Sequence, residues 1–133
     1  MIDIENSIFN TVALSLRAYD SSITVTSENV AAPSSYPCVS IEEADNYAHI
    51  ESQDSASTEN YANVMYEVHV YTNKTSGKKS QCKNIFAVAD EEFNTLGFTR
   101  TMKQPVAMDD AKTYHLVARY TAVVSQDKYI FRR

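Results

Sequence analysis

The residues best suited to chemistry are the three histidines, His49, His69 and His115. His69 and His115 each fall within a segment of strand-type alternation, and Glu67 precedes His69 by two positions. If the two strands paired, His69, His115 and Glu67 would approach a metal-ligand set of two histidines and one carboxylate. No HxH or HExxH spacing joins them, so half-exposed strand histidines are the favoured interpretation and no metal site is predicted.

The other nucleophilic and acidic candidates also favour structural roles. Cys82 lies near lysines at the start of a predicted helix, where a lowered pKa and a nearby histidine would make its thiol a nucleophile. It also falls on the apolar stripe of that helix, which favours a place in the core. The neighbours Glu42-Glu43 and Asp109-Asp110 point apart in extended or turn backbone, so solvated charges are predicted. We therefore predict no catalysis and no cofactor.

Composition excludes several classes of protein. The sequence has only two glycines, Gly77 and Gly97, so it lacks the glycine-rich turns of P-loop and Rossmann nucleotide sites. Cys38 and Cys82 are too few for a disulfide framework and too far apart for a zinc knuckle. No apolar run of about 18 residues and no signal-peptide pattern occurs. These features predict a cytosolic chain that contacts no membrane.

Apolar periodicity predicts an α+β fold in one domain spanning residues 1–133. Three- and four-residue spacing predicts helices over 3–19 and 78–96, the second ending at Gly97. Two-residue alternation predicts strands at 23–26, 37–42, 61–72, 98–108 and 113–124. The order is α-β-β-β-α-β-β, with two helices packed on one face of an antiparallel sheet of four to five strands.

Charge is divided unevenly along the chain. Residues 1–60 carry ten acids and one base, a net charge of −9, and residues 61–133 carry seven acids and eleven bases, a net charge of +4. An acidic patch of one copy could therefore meet a basic patch of another, although both signs mixed over one surface is an equal alternative. The stretch at about 43–60 is predicted to be a long polar loop with a functional or mobile role.

Two segments and the element order resemble the tail terminator or tail completion proteins of long-tailed bacteriophages and prophages. The first segment, Leu96-Gly97-Phe98-Thr99-Arg100, follows the long second helix and opens a strand. The second, 114–124 (YHLVARYTAVV), is a closing strand with an arginine and an aromatic residue before small apolar residues. The resemblance covers nearly the whole chain and departs from the pattern at 43–60 and at 128–133.

This resemblance implies a virion structural protein with no enzymatic activity. It implies a homo-oligomeric ring, usually a hexamer, that caps the tail tube protein and joins the tail to the head-tail connector protein. The ring would be assembled in the bacterial host cytoplasm and lie at the head-proximal end of the tail, with DNA passing through its lumen without specific binding. A closed ring needs unlike flanks, and the interface candidates are Glu42, Glu43 and Asp45 against Arg100, Lys103 and Arg119.

Two alternatives stay open. The first is another head-tail connector or tail-tube component with a similar α+β core. The second is a small α+β enzyme or ligand-binding domain with a pocket of histidine, tyrosine and glutamate side chains. That pocket would use Glu67, His69, His115, Tyr66 or Tyr120, and it requires that the helix at 78–96 leave the concave face of the sheet open.

Overall fold

A computed structural model describes residues 3–27, 35–48, 61–108, 112–125 and 128–132. Across these residues, two helices and six strands follow one another along the chain. They are α1 (Glu5–Tyr19), β1 (Thr24–Thr26), β2 (Cys38–Ala48), β3 (Tyr61–Thr72), α2 (Lys78–Leu96), β4 (Thr99–Val106), β5 (Tyr114–Ser125) and β6 (Ile130–Arg132). The predicted α+β class and element order are confirmed, and β6 is added at the end.

The strands form one sheet in the order β1-β2-β3-β5-β4, and β6 pairs with β5. The β2–β3, β3–β5, β4–β5 and β5–β6 pairs are antiparallel, whereas β1 runs parallel to β2. Two parallel strands need a connection long enough to bring the chain back to the end of the sheet where the first strand began. Residues 27–37 form the connection between β1 and β2 in the sequence. The sheet is therefore mixed at its β1 edge.

The apolar stripes that predict the helices are the surfaces that they bury. α1 packs on β2 and α2, and α2 packs on β3, β5 and β4. Both helices and the sheet share one core, so each stripe removes its apolar surface from water against the same sheet face. Its buried members include Ile8, Val12 and Leu16 of α1, Cys82, Ile85, Ala89 and Phe93 of α2, and Tyr66, Val68, Val70, Ala118 and Tyr120 of the sheet.

The predicted polar loop at about 43–60 begins later than predicted. β2 continues to Ala48, which pairs with Ala62, and its register shifts at a bulge between Glu43 and Asp45. Backbone pairing with β3 outweighs the polar composition here, because alternate side chains of β2 point away from the helices. Residues 49–60 lie outside the described residues. No helix in the described ranges has the length and apolar character needed to cross a membrane.

Gly97 ends α2 in a left-handed conformation with φ of 103°. The backbone N–H of the following residue, Phe98, donates a hydrogen bond to the carbonyl oxygen of Phe93, at 3.0 Å. This bond gives one of the last carbonyl groups of the helix a hydrogen-bond partner. A Cβ at position 97 would lie 3.2 Å from Cγ2 of Ile130 on β6. Gly77, before α2, also has a positive φ of 83°, but a Cβ there would meet no atom within 4 Å.

Gly97→Ala is therefore expected to lower the free energy of unfolding by about 2 kcal/mol, through backbone strain together with the tight contact with the Ile130 side chain. Gly77→Ala is the matched control and should cost about 1 kcal/mol, since only the backbone strain applies. Equilibrium urea denaturation of both variants measures the difference. Equal losses at the two positions would contradict the close approach of β6 to the end of α2.

Candidate functional site

The sheet face opposite α1 and α2, called here the outer face, carries the histidines. Two-residue alternation places Glu67, His69 and Tyr71 of β3 on this face, and His115 and Arg119 of β5 beside them. The two strands are direct neighbours, and Tyr71 pairs with His115 while Glu67 pairs with Arg119. The strand pairing on which a joint role of the two histidines depends is therefore present.

These side chains form a continuous hydrogen-bonded network, which we call the histidine network. Nδ1 of His69 lies 2.8 Å from Nε2 of His115, and Nε2 of His69 lies 2.6 Å from Oε1 of Glu67. Nε of Arg119 donates to Oε2 of Glu67 at 2.9 Å. The Tyr71 ring stacks on His115 with a centroid separation of 4.1 Å. Both histidines are buried, at 8% and 7% exposure, so the prediction of half-exposed histidines was wrong.

The charges of the network follow from its contacts. Burial raises the pKa of Glu67, but the hydrogen bonds from Arg119 and His69 outweigh it and hold that pKa below its ordinary value. An ionised carboxylate only accepts hydrogen bonds, so His69 donates its Nε2–H to Glu67. Burial, followed by the effect of His69, lowers the pKa of His115 to about 4. His115 is therefore neutral at pH 7, and its Nδ1 has no hydrogen-bond partner among the described residues.

The acidic interface candidates lie on β2 and point to both sides of the sheet. Glu42 and Asp45 pair with Glu67 and Met65, which places them on the outer face, whereas Glu43 pairs with Tyr66 on the helix side. The backbone N–H of Glu43 donates to Oε2 of Glu5 at 3.3 Å. Burial first, and then the charges of Glu5, Asp3 and Asp45, raise the pKa of Glu43 despite a hydrogen bond from Asn46.

The basic candidates do not form one patch. Arg100 and Lys103 lie on β4, at the opposite edge of the sheet from β1 and on the helix side. Arg100 Nη1 is 3.1 Å from Oδ1 of Asp90, and Lys103 Nζ is 5.0 Å from the centre of the Phe86 ring. Arg119 instead lies on β5, where it binds Glu67 on the outer face. Arg100 and Lys103 thus lie together on the edge strand β4, whereas Arg119 lies on an inner strand.

The pocket required by the ligand-binding alternative is not formed. Tyr66 and Tyr120 lie beneath α2 and are buried, and the Tyr120 hydroxyl donates to Asp90 at 2.8 Å. Glu67 and His69 lie on the opposite face. Side chains on opposite faces of one sheet cannot line one site, and this separation was readable from the alternation within 61–72. A groove of about 430 Å³ does lie beside Asp90, Arg100 and Tyr120, without the histidines.

The remaining candidates separate into core and undescribed residues. Cys82 is buried on α2, as its stripe predicts, and burial raises the pKa of its thiol to about 12, so a reactive thiolate is not formed. His49, Asp109 and Asp110 lie outside the described residues. Sequence reasoning missed the approach of Glu42 to the histidine network, because this contact depends on the β2–β3 register, and adjacent sequence positions carry no signal for it.

Comparison with known proteins supports the fold. No protein-family model and no curated protein matches the sequence. The structure is similar to a chain from the virion of a native gene transfer agent particle, with a TM-score of 0.62 and 13% identity over 94% of this chain and 99% of that one. It is also similar to a sheath/tube terminator of an extracellular contractile injection system in its extended state. The TM-score there is 0.51, with 11% identity over all of this chain and 60% of that one. The resemblance to tail terminator-type proteins is therefore confirmed in the fold.

Proposed function

We propose that this protein is a tail structural protein of a phage-like particle, which closes into a ring on the tail tube and joins the tail to the head connector. The fold supports this proposal, since similar chains occur in a gene transfer agent virion and in a sheath/tube terminator. In the proposed particle the ring lies at the head-proximal end of the tail, and DNA passes through its lumen. The protein acts there by contact and has no enzymatic activity.

The observation that carries the ring is the placement of unlike charge at the two edges of the sheet. The sheet order puts β1 and β2, from the acidic first half, at one edge and β4, from the basic second half, at the other. Asp3 and Glu5, at the start of α1, lie near Glu43 of β2, and burial first and then the charges of Glu5 and Asp3 raise the pKa of Glu43. A ring of identical copies closes through two different surfaces of each subunit, and these edges are different.

The proposed contact between neighbouring copies is made by side chains of β4 and not by backbone pairing of β4 with a strand of the next copy. β4 is an edge strand, and most of its side chains are exposed. Pro105 and Lys103 lie on it, and both residue types discourage the pairing of exposed strand edges. Charged side chains of β4 can still meet acids of a neighbouring copy, which gives the contact its specificity and orientation.

Charge reversal on β4 tests this ring. Lys103→Glu should dissociate the assembly at lower salt than the wild type, because the basic edge loses its complement to the acidic edge. Arg17→Glu makes the same change in charge at an exposed residue of α1, away from the basic edge. It should therefore leave the assembly intact. Mass photometry across a salt series from ~0.1 M upward measures both, since the Debye length of about 10 Å at that salt shortens as salt is added.

Two outcomes would contradict the proposal. A chain that stays monomeric at high concentration, and also fails to assemble on added tail tubes, would exclude the ring. Equal effects of Lys103→Glu and Arg17→Glu would exclude the edge contact. Labelling of assembled particles distinguishes a terminator from a neighbouring connector component, because the terminator must lie where the tail tube ends.

A further inference from the structure

The outer face holds a pair of like charges beside a single opposite charge, that of Arg119, among the described residues. Glu42 of β2 lies directly opposite Glu67 of β3 in the antiparallel register. Carboxylates facing each other across two strands repel and destabilise the pair. Arg119 forms an ion pair with Glu67, at 2.9 Å, and adds one positive charge beside the two carboxylates. The site formed by these three side chains has a net charge of −1, which favours a bound cation.

An imidazole nitrogen completes the set. One ligand atom each from Glu42, Glu67 and His69 can be chosen so that all three lie within 4.8 Å of one another. Around a tetrahedral zinc ion with bonds of about 2.1 Å, ligand atoms are separated by about 3.4 Å. Shifts of about 1 Å in these side-chain atoms, from small changes in side-chain torsion angles, would give that spacing.

The atoms that would not contact the ion are already held by other residues. Arg119 donates to Oε2 of Glu67, so Oε1 is the oxygen that would bind the ion. Nδ1 of His69 lies 2.8 Å from Nε2 of His115, so Nε2 of His69 is the nitrogen that would bind it. The 2.6 Å hydrogen bond between this Nε2 and Oε1 would be replaced by bonds to the ion, with the His69 proton carried on Nδ1 and donated to Nε2 of His115. Metal sites orient their ligands in this way, with the second nitrogen of a ligating histidine and the second oxygen of a ligating carboxylate in hydrogen bonds.

We propose that Glu42, Glu67 and His69 bind one zinc ion on the outer face, with Arg119 and His115 as positioning residues. A mixed imidazole and carboxylate set favours zinc over magnesium or calcium, which prefer oxygen ligands alone. The ion links β2 to β3 on the face that lies opposite the helices, and three protein ligands leave a coordination position for water. This inference concerns a site within one subunit and does not depend on the ring.

Titration of the full-length, chelator-treated protein with zinc alone tests the site. Isothermal titration calorimetry should show one ion per chain, and magnesium should give no comparable binding. Glu42→Gln should weaken zinc binding about tenfold or more, because it removes a charged ligand. Glu43→Gln is the matched control, since this adjacent carboxylate points to the opposite side of the sheet, and it should leave zinc affinity unchanged.

A second variant tests the positioning role. Arg119→Lys should weaken zinc binding about tenfold while leaving one ion per chain, because the positive charge beside the site is kept but Glu67 is less well oriented. Circular dichroism verifies that each variant is folded before titration. Absence of zinc binding to the folded wild type, or equal affinities for wild type and Glu42→Gln, would overturn the proposal. Binding of magnesium as tight as that of zinc would overturn the assigned ligand chemistry.

Discussion

Phe93→Ala is expected to lower the free energy of unfolding by about 3–5 kcal/mol, because it opens a cavity at the centre of the core. The Phe93 ring is fully buried and stacks on Tyr120 with centroids 4.4 Å apart. It also meets Phe98 edge to face at 5.4 Å and Tyr66 at 6.2 Å. These rings come from α2, β3, β5 and the residue just before β4, so no single element can close the space.

Two further variants make this result specific. Phe93→Leu keeps much of the side-chain volume and should cost about 1–2 kcal/mol. Tyr19→Ala removes an aromatic ring that is 52% exposed on α1, and should change stability by less than about 0.5 kcal/mol. Urea denaturation followed by circular dichroism and tyrosine fluorescence suits a chain without tryptophan. A loss below about 1 kcal/mol for Phe93→Ala would contradict the packing of the ring cluster.

Acidification is expected to destabilise the protein by about 3 kcal/mol between pH 6.5 and about pH 4, through His115. The pKa of His115 falls from 6.5 in the unfolded chain to about 4 in the folded protein. Between these values the unfolded state binds a proton that the folded state does not bind. Stability contributed by the neutral imidazole is therefore fully present above pH 6.5 and is lost as the pH falls.

His115→Gln isolates this contribution. His69, Tyr71 and Glu67 face His115, and the lowered pKa of Glu67 adds a loss of stability in the same direction as the pH falls below its ordinary value of 4.5. The raised pKa of Glu43 acts in the opposite direction, since protonation there favours the folded state. Urea denaturation across this pH range, with a chelator present, should show a shallower slope for the variant than for the wild type. Parallel slopes would contradict a buried neutral His115.

The helices and most strands were predictable because each is encoded by a pattern local in the chain. Ile8, Val12 and Leu16 repeat at the spacing of a helix face, and the alternation within 61–72 separates Tyr66 from Glu67 whatever the partner strand is. The burial of Cys82 follows from the same kind of pattern. The split of charge between the two halves is also a property of the sequence alone.

Partners across the sheet were decided only by the tertiary structure. His69 and His115 meet because β3 and β5 are neighbours in one particular register, although they lie 46 positions apart in the chain. The length of β2 depends on a bulge, and the parallel pairing of β1 depends on the connection that returns the chain to β2. The pairing of Glu42 with Glu67 depends on the β2–β3 register. Periodicity assigns a residue to a face, but a register that differs by two residues keeps every face unchanged and exchanges every partner. Burial and hydrogen bonding summed over the whole sheet select one register, and no local segment contains that sum.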